Sequence, residues 1–325
     1  MDCDIPLTDF IKANNRISEF IISTPLVNYK NNIFLKKESL QKTGSFKWRG
    51  VLYATMCEFD KILHINLDSK FYIVTQSTGN HGIATIESVF LCRKYFTKIY
   101  PNFKNKWDRV FPIIFTNKSI TKFKLEKMKA SVKKFESIKS VNFIDSTSVN
   151  YSESTKKRKV FLKNNTGIYL EHGGKNILTG YGSIALEINN IIPKNKKLAI
   201  FVTVGAGGPI GIGLCFKKLR NIEFNIVQTR DFDAFIRSLK SGNLEYNNQE
   251  RITISDGIAV DKPEQFALKV AKNIVDNTYT VNENKVIDLI RHNSLGNSTN
   301  ITLAGFYQSN KEYFDYIVIL DCEGN

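Results

Sequence analysis

Cysteine is scarce in this 325-residue sequence, and Cys3, Cys57, Cys92, Cys215 and Cys322 stand far apart with no CxxC pair among them. That spacing offers no zinc-type pair, and an odd, sparse set suits a reducing compartment rather than a disulfide scaffold. Long apolar runs are missing too. The longest, 198–204, is far short of the roughly 20 residues a membrane helix needs, so no membrane partner is expected. The start carries Asp2, Asp4 and Asp9 where a signal peptide would be basic and then apolar, so the expected location is cytoplasmic. No Pro/Ser-rich linker, internal repeat or composition break marks a domain boundary. Acidic residues are outnumbered 31 to 46, for a net charge of +15. The charge is spread along the chain, and Lys, Asn and Ile are all abundant. A general coding bias therefore outranks a nucleic-acid partner as its cause. The run Lys156-Lys157-Arg158-Lys159 reads as a solvated helix face in preference to a nucleic-acid contact.

What is present is a folded core. Hydrophobic residues make up 42% and aromatics 12% of a chain long enough for about two domains. Short runs rich in β-branched residues, at 33–35, 71–75, 111–116, 141–144, 168–171, 198–204, 225–228 and 316–320, predict strands. Amphipathic stretches near 45–57, 80–95, 120–135, 176–191, 208–219 and 263–275 predict helices. This alternation means an α/β protein with largely parallel sheets flanked by helices.

Three segments join a Gly-containing turn to the start of a helix. In open α/β sheets the ligand lies at the carboxyl ends of strands, where such turns sit. Val204-Gly205-Ala206-Gly207-Gly208-Pro209 would present successive backbone N–H groups to an anion, as a phosphate cradle does. It fits neither a P-loop nor a GxGxxG fingerprint, and a tight turn for close helix–sheet packing is the alternative. Gln76-Ser77-Thr78-Gly79-Asn80-His81-Gly82 has amides suited to a carboxylate, with Ser77 and Thr78 as helix-capping types. His81 alone reads as a packed or capping histidine before a base. In Thr43-Gly44-Ser45-Phe46-Lys47-Trp48-Arg49-Gly50, Lys47 lies near a helix start, the end that disfavours a cation. The alternative is a solvated surface lysine. Together, a phosphate cradle, a carboxylate site and a lysine in an adverse field suit a phosphate-bearing aldehyde held as a Schiff base, and pyridoxal 5'-phosphate fits that description.

The same motifs, in order, resemble a known family. Thr24-Pro25-Leu26, Leu35-Lys36-Lys37-Glu38 and Gly44-Ser45-Phe46-Lys47-Trp48-Arg49-Gly50 look like the N-terminus of fold-type II pyridoxal phosphate enzymes, nearest the serine/threonine dehydratases and serine racemases. Ser77-Thr78-Gly79-Asn80-His81-Gly82 is similar to their Ser-x-Gly-Asn-His segment. Gly180-Tyr181-Gly182-Ser183-Ile184-Ala185-Leu186-Glu187-Ile188 is similar to Gly-Gln-Gly-Thr-Ile-Ala-x-Glu-Ile. Gly205-Ala206-Gly207-Gly208 resembles their tetraglycine loop, and Asp256-Gly257-Ile258-Ala259-Val260 their Asp-Gly-Ile-Ala-Val. Asp321-Cys322-Glu323-Gly324-Asn325 resembles a terminal Ser/Cys/Thr-Gly-Gly-Asn.

The resemblance implies a tryptophan synthase beta-like fold, with 1–51 and 151–325 as a large cofactor-binding domain and 52–150 as a smaller mobile domain inserted in it. Lys47 would carry the cofactor as a Schiff base and later remove the α-proton. Phe46 would pack beside the cofactor, Asn80 would bond its ring oxygen, and Gly205, Ala206, Gly207 and Gly208 would hold its phosphate. Cys322 would face the ring nitrogen. Amides of Ser77, Thr78, Gly79, Asn80 and His81 would hold the substrate carboxylate. The implied activity is a dehydratase that turns a 3-hydroxy amino acid such as L-threonine or L-serine into a 2-oxo acid and ammonia, in a homodimer.

Departures from the pattern keep other activities open. The family's Glu-Pro-x-Gly-Ala aligns with Gly296-Asn297-Ser298-Thr299-Asn300, so its carboxylate is missing at Gly296. Glu171-His172-Gly173-Gly174-Lys175-Asn176 replaces its Pro-Phe-Asp-Asp segment; His172 and Lys175 read as loop residues there, and the alternative is that one of them meets an acidic substrate side chain. Gln228 and Ala234 stand where two metal-binding acids would, so no Mg²⁺ or Ca²⁺ is expected there. Thr78 replaces the alanine of dehydratases and the proton-donating serine of racemases; its alternative role is to cap the helix. A racemase, a lyase for hydroxyaspartate or diaminopropionate, and a pseudoenzyme that binds the cofactor or nucleic acid remain the competing readings.

Overall fold

Strand and helix alternate because the apolar residues switch between a period of two and a period near 3.6. The structure, a computed structural model, describes residues 4–135, 141–248, 253–311 and 313–324. It divides into two units, one of Met1–Gly50 with His172–Asn325 and the other of Val51–Glu171. The chain opens with helix α1 (Leu7–Ile17), strands β1 (Leu26–Lys30) and β2 (Ile33–Lys36), and helix α2 (Lys47–Leu63), which contains the Gly50/Val51 division. Then follow β3 (Phe71–Gln76), α3 (Asn80–Ile99), the short α4 (Lys104–Trp107), β4 (Val110–Asn117), α5 (Lys122–Val132), β5 (Ile144–Ser148), α6 (Tyr151–Asn164) and β6 (Gly167–Tyr169). The chain returns with α7 (Lys175–Ile191), β7 (Leu198–Thr203), α8 (Ile210–Leu219), β8 (Glu223–Thr229), α9 (Ala234–Ser241) and α10 (Gln265–Ala271). It ends with β9 (Asn277–Val281), α11 (Glu283–His292), α12 (Asn297–Ser309) and β10 (Tyr316–Leu320).

In the larger unit the strand order is β1-β2-β10-β7-β8-β9, with only β1 antiparallel to its neighbour. In the second unit the order is β5-β4-β3-β6, all parallel. The α/β class is as expected. Every residue of β4 and of β7 is buried, which is why both read as unbroken apolar runs. Phe201, Val227, Ile301, Phe306 and Ile319 belong to one core cluster of the larger unit.

Three expectations need correction. The strand expected at 141–144 lies at Ile144–Ser148, because edge strand β5 pairs only with β4 and carries polar Asp145, Ser146 and Thr147. The inserted segment is Val51–Glu171 rather than 52–150. The reason is β6, which pairs Tyr72 with Gly167 and Val74 with Tyr169, while the Leu170 amide donates to the Val74 carbonyl at 2.7 Å. Nor is the charge even. Val51–Glu171 holds 21 basic and 10 acidic residues, a net of +11 out of the whole chain's +15.

Candidate active site

Lys47 opens α2 in a segment clasped to the end of the chain. The Phe46 amide donates to the Cys322 carbonyl at 3.1 Å, the Gly324 amide donates to the Gly44 carbonyl at 3.2 Å, and Ser45 bridges Glu323. Gly44 takes a φ of +78° to make the turn, which glycine tolerates best. Lys47 is half-buried, with its Nζ 4.4 Å from the centre of the buried Phe46 ring. The Phe46 ring in turn lies 5.0 Å from that of Tyr181. Two hydroxyls just before the lysine, Thr43 Oγ1 and Ser45 Oγ, are buried without a hydrogen-bond partner among the described residues. Buried polar groups are normally paired, and an unpaired set beside a lysine is what a site for a polar ligand looks like. Burial pushes the Cys322 thiol well above its usual range, Glu323 and Asp321 push it the same way, and Lys47 pulls against them. The thiol is therefore neutral, and it donates to the Leu320 carbonyl at 3.4 Å.

The first turn of α2 is anchored by a buried ionic quartet. Arg49 Nε and Nη2 donate to the two oxygens of Glu38, each at 2.8 Å. Its Nη1 and Nη2 reach Glu187 at 2.6 and 2.9 Å, and Lys36 Nζ also bonds Glu187. Lys36, Glu38 and Arg49 are fully buried, and the two cations balance the two carboxylates. Such a cluster is costly to desolvate but rigid once every partner is present.

The 205–208 loop leaves the carboxyl end of β7 and enters α8. Gly207 has a φ of +123°, and a Cβ there would lie 2.4 Å from Ala267. A Cβ on Gly208 would lie 2.8 Å from the Tyr181 ring, and one on Gly205 3.0 Å from the Gly257 carbonyl oxygen. The loop is small because it is walled in. Among the described residues no acceptor takes the amides of Gly205, Ala206, Gly207 or Gly208. Consecutive uncommitted N–H groups beside a helix start suit a phosphate. The 171–176 loop packs against this turn, since a Cβ on Gly173 would meet Ala206 O at 3.3 Å, while Lys175 is exposed at the start of α7.

In the second unit the 77–82 loop joins β3 to α3. Buried Ser77 organises it: its Oγ accepts from the amides of Gly79 and Gly82, both at 3.1 Å. Gly79 is the N-cap residue and makes no side-chain cap bond, so Ser77 does the work of a cap and Thr78 does not. Thr78 and Asn80 are half-buried and His81 is buried. The Lys124 side chain crosses over Gly79, its Cδ 2.9 Å from where a Cβ would be. Phe46, Lys47, Gly205, Ala206, Gly207, Gly208 and Cys322 all belong to the larger unit, where the Tyr181 ring borders both Phe46 and Gly208. Ser77, Thr78, Gly79, Asn80 and His81 form one continuous loop in the other.

A family model described as pyridoxal-phosphate dependent enzyme matches residues 17–89 and 112–314. The chain belongs to the pyridoxal-phosphate dependent enzymes. Its cofactor is pyridoxal phosphate, and the uncommitted amides at 205–208 and the orphaned hydroxyls near Lys47 fit a phosphorylated group. The chain is 28% identical over 266 residues to an L-threonine ammonia-lyase of Thermotoga maritima, covering 79% of this chain and 57% of that one. It is 27% identical over 295 residues to an L-threonine dehydratase, catabolic, of Staphylococcus aureus, covering 87% and 75%. Maize serine racemase shares the fold at a TM-score of 0.78 and 20% identity, over 98% of this chain and 93% of that one. The fold is that of the fold-type II enzymes of this cofactor.

Sequence reasoning passed over three features of this pyridoxal-phosphate dependent enzyme. One is Tyr181, which packs on Phe46 and walls Gly50 and Gly208. Another is the pairing within the Lys36, Glu38, Arg49 and Glu187 quartet, although each residue sits in a quoted motif. The third is the buried carboxylate of Glu323. At the former metal position, Gln228 is spent on structure: its Nε2 donates to the Val204 carbonyl and its Oε1 accepts from the Ile236 amide, both at 2.9 Å.

Proposed function

We propose that this chain is an ammonia-lyase that converts a 3-hydroxy amino acid such as L-threonine or L-serine to a 2-oxo acid and ammonia. The observation that carries the reading is a half-buried lysine at a helix start, clasped against the chain's C-terminal segment in the unit that holds a glycine loop of uncommitted amides. The names of the Thermotoga and Staphylococcus relatives support the reaction class.

When bound, the cofactor supplies an electron sink for charge that develops at the substrate α-carbon. Lys47 would hold it and take the α-proton at Nζ. The amides of Gly205, Ala206, Gly207 and Gly208 would bind its phosphate, Phe46 would pack on it and Asn80 would bond its ring oxygen. Cys322, kept neutral by burial, would face the ring nitrogen without stabilising a positive charge there. Ser77, Thr78, Gly79, Asn80 and His81 would hold the substrate carboxylate at the positive end of α3. In the overall reaction the hydroxyl leaves as water, one water is taken up, and ammonia is released. The protein is proposed to act as a homodimer in the cytoplasm without a nucleic-acid partner. The dimer rests on the habit of the family, and Cys57, Cys92, Cys215 and Cys322 are thiols rather than disulfide halves, which suits a reducing compartment.

Racemisation is the second reading, because Ser77 rather than Thr78 makes the helix cap and the Thr78 hydroxyl is left for proton transfer. The test is 2-oxo acid release and chiral product analysis with both enantiomers of serine and threonine. The purified protein should show the cofactor's visible absorbance, and Lys47→Ala should abolish turnover. A colourless protein that yields neither oxo acid nor inverted amino acid would refute both readings.

A further inference from the structure

In the motif pattern, position 296 carries Glu and position 323 carries Gly; in this chain the two are exchanged. The structure puts the two positions in contact. A Cβ on Gly296 would lie 3.3 Å from Glu323 Cγ, a tight contact with that side chain, and 2.5 Å from the carbonyl oxygen that any residue at 323 would carry. A side chain at 296 would thus begin against residue 323, and the carboxylate of Glu323 stands beside the position that lacks one.

The location of Glu323 is specific. Its side chain is 8% exposed. One carboxylate oxygen accepts from Ser298 Oγ at 3.0 Å, and that hydroxyl pairs with Ser255 Oγ at 2.8 Å. The same oxygen lies 3.7 Å from where a Gly257 Cβ would be, and the Gly257 carbonyl borders Gly205 of the glycine loop. On its other side, residue 323 bridges Ser45, two residues before Lys47, and follows Cys322, whose carbonyl takes the Phe46 amide. Residue 323 therefore borders the turn that leads into Lys47 through its backbone, and its carboxylate borders the Gly257 turn that meets the glycine loop.

We propose that Glu323 faces the bound cofactor ring and supplies the active site with the negative charge that position 296 lacks. The proposal rests on the cofactor reading above. Its charge sets the field at the ring, where charge moves during the reaction, and so acts on turnover more than on substrate binding.

The test uses the purified holoenzyme and two variants, Glu323→Gln and Glu323→Asp. Gln can still accept from Ser298 and removes only the charge. Expected for Glu323→Gln are a displaced absorbance maximum of the bound cofactor, a weaker cofactor dissociation constant, and a kcat lower by about tenfold or more with KM changed by less than about threefold. Glu323→Asp, which keeps the charge, should retain the parent's absorbance maximum. The proposal is overturned if Glu323→Gln keeps the parent's spectrum, cofactor affinity and kcat. It is also overturned if Asp and Gln displace the spectrum equally, since shape rather than charge would then be the cause. A coloured, active parent with a silent Gln variant sinks this proposal alone. A parent that never takes up cofactor sinks the site reading itself.

Discussion

Replacing Arg49 by Met should expose how much of α2 depends on the buried quartet. The guanidinium makes six hydrogen bonds: three to Glu187 and Ser183, two to Glu38 and one to the Ile22 carbonyl. Met keeps much of the apolar stem and leaves two carboxylates facing Lys36 alone. Removing one member of a buried pair costs about 3–5 kcal/mol, because the remaining charge stays desolvated. Against a total stability of about 5–15 kcal/mol, that is a large share. In a chain of this size it corresponds to a fall in Tm of about 4–7 °C. The double variant Arg49→Met, Glu38→Gln leaves one cation and one carboxylate, so it should recover part of the loss. Arg49→Lys keeps the charge but not the planar fork, and should fall between parent and Met. Thermal melts and urea titration of the four proteins measure the effect. The reasoning fails if Arg49→Met melts within a degree or two of the parent, or if adding Glu38→Gln makes matters worse.

Tyr181→Phe should stabilise the protein. The ring is fully buried and its hydroxyl finds no partner among the described residues, so deleting that oxygen removes an unpaired polar group and keeps the packing. A gain of about 1 kcal/mol, seen as a rise of about 1–2 °C in Tm, is expected with and without cofactor; a fall would reveal a hydroxyl partner. Of the four described cysteines, Cys57 is half-buried and the others are buried, with the Cys215 thiol pushed up to about 12 by burial and Cys322 well above its usual range. Iodoacetamide at pH 8 should therefore mark Cys57 alone among these four in peptide maps of the native protein, and rapid labelling of Cys215 or Cys322 would contradict the burial.

What was legible before the structure was local. The apolar runs of β4 and β7 and the glycine turns each carry their signal within a few residues, and burial on both faces or a walled-in loop is its cause. Helix α6 was legible too: Lys156-Lys157-Arg158-Lys159 reads as a solvated helix face, and the run lies in it. Its start has a cap in which the Asn150 side chain accepts from the Glu153 amide at 2.9 Å, and Glu153 reaches back to the Val149 amide at 2.7 Å. An Asn followed three residues later by Glu is a helix-start signal. The 171/172 boundary was not legible, since nothing in three residues of β6 says which sheet they will join.

The site shows the same division with a sharper consequence. Lys47 and the 205–208 loop announce themselves, because a lysine at a helix start and glycines before one are unusual within their own neighbourhoods. Arg49, Glu38 and Glu187 sit in motifs but say nothing of one another until the chain folds. Gly296 goes further. Compared position by position it reads as a lost carboxylate, and the same comparison reads Glu323 as a stray substitution in a glycine pair. The fold makes the two positions neighbours, with Glu323 Cγ 3.3 Å from where a Gly296 Cβ would be. Side chains at 296 and at 323 would press on one another, so the two changes belong to one small volume. A position-wise reading therefore counts this enzyme as lacking a charge when the fold has supplied one from a different strand end.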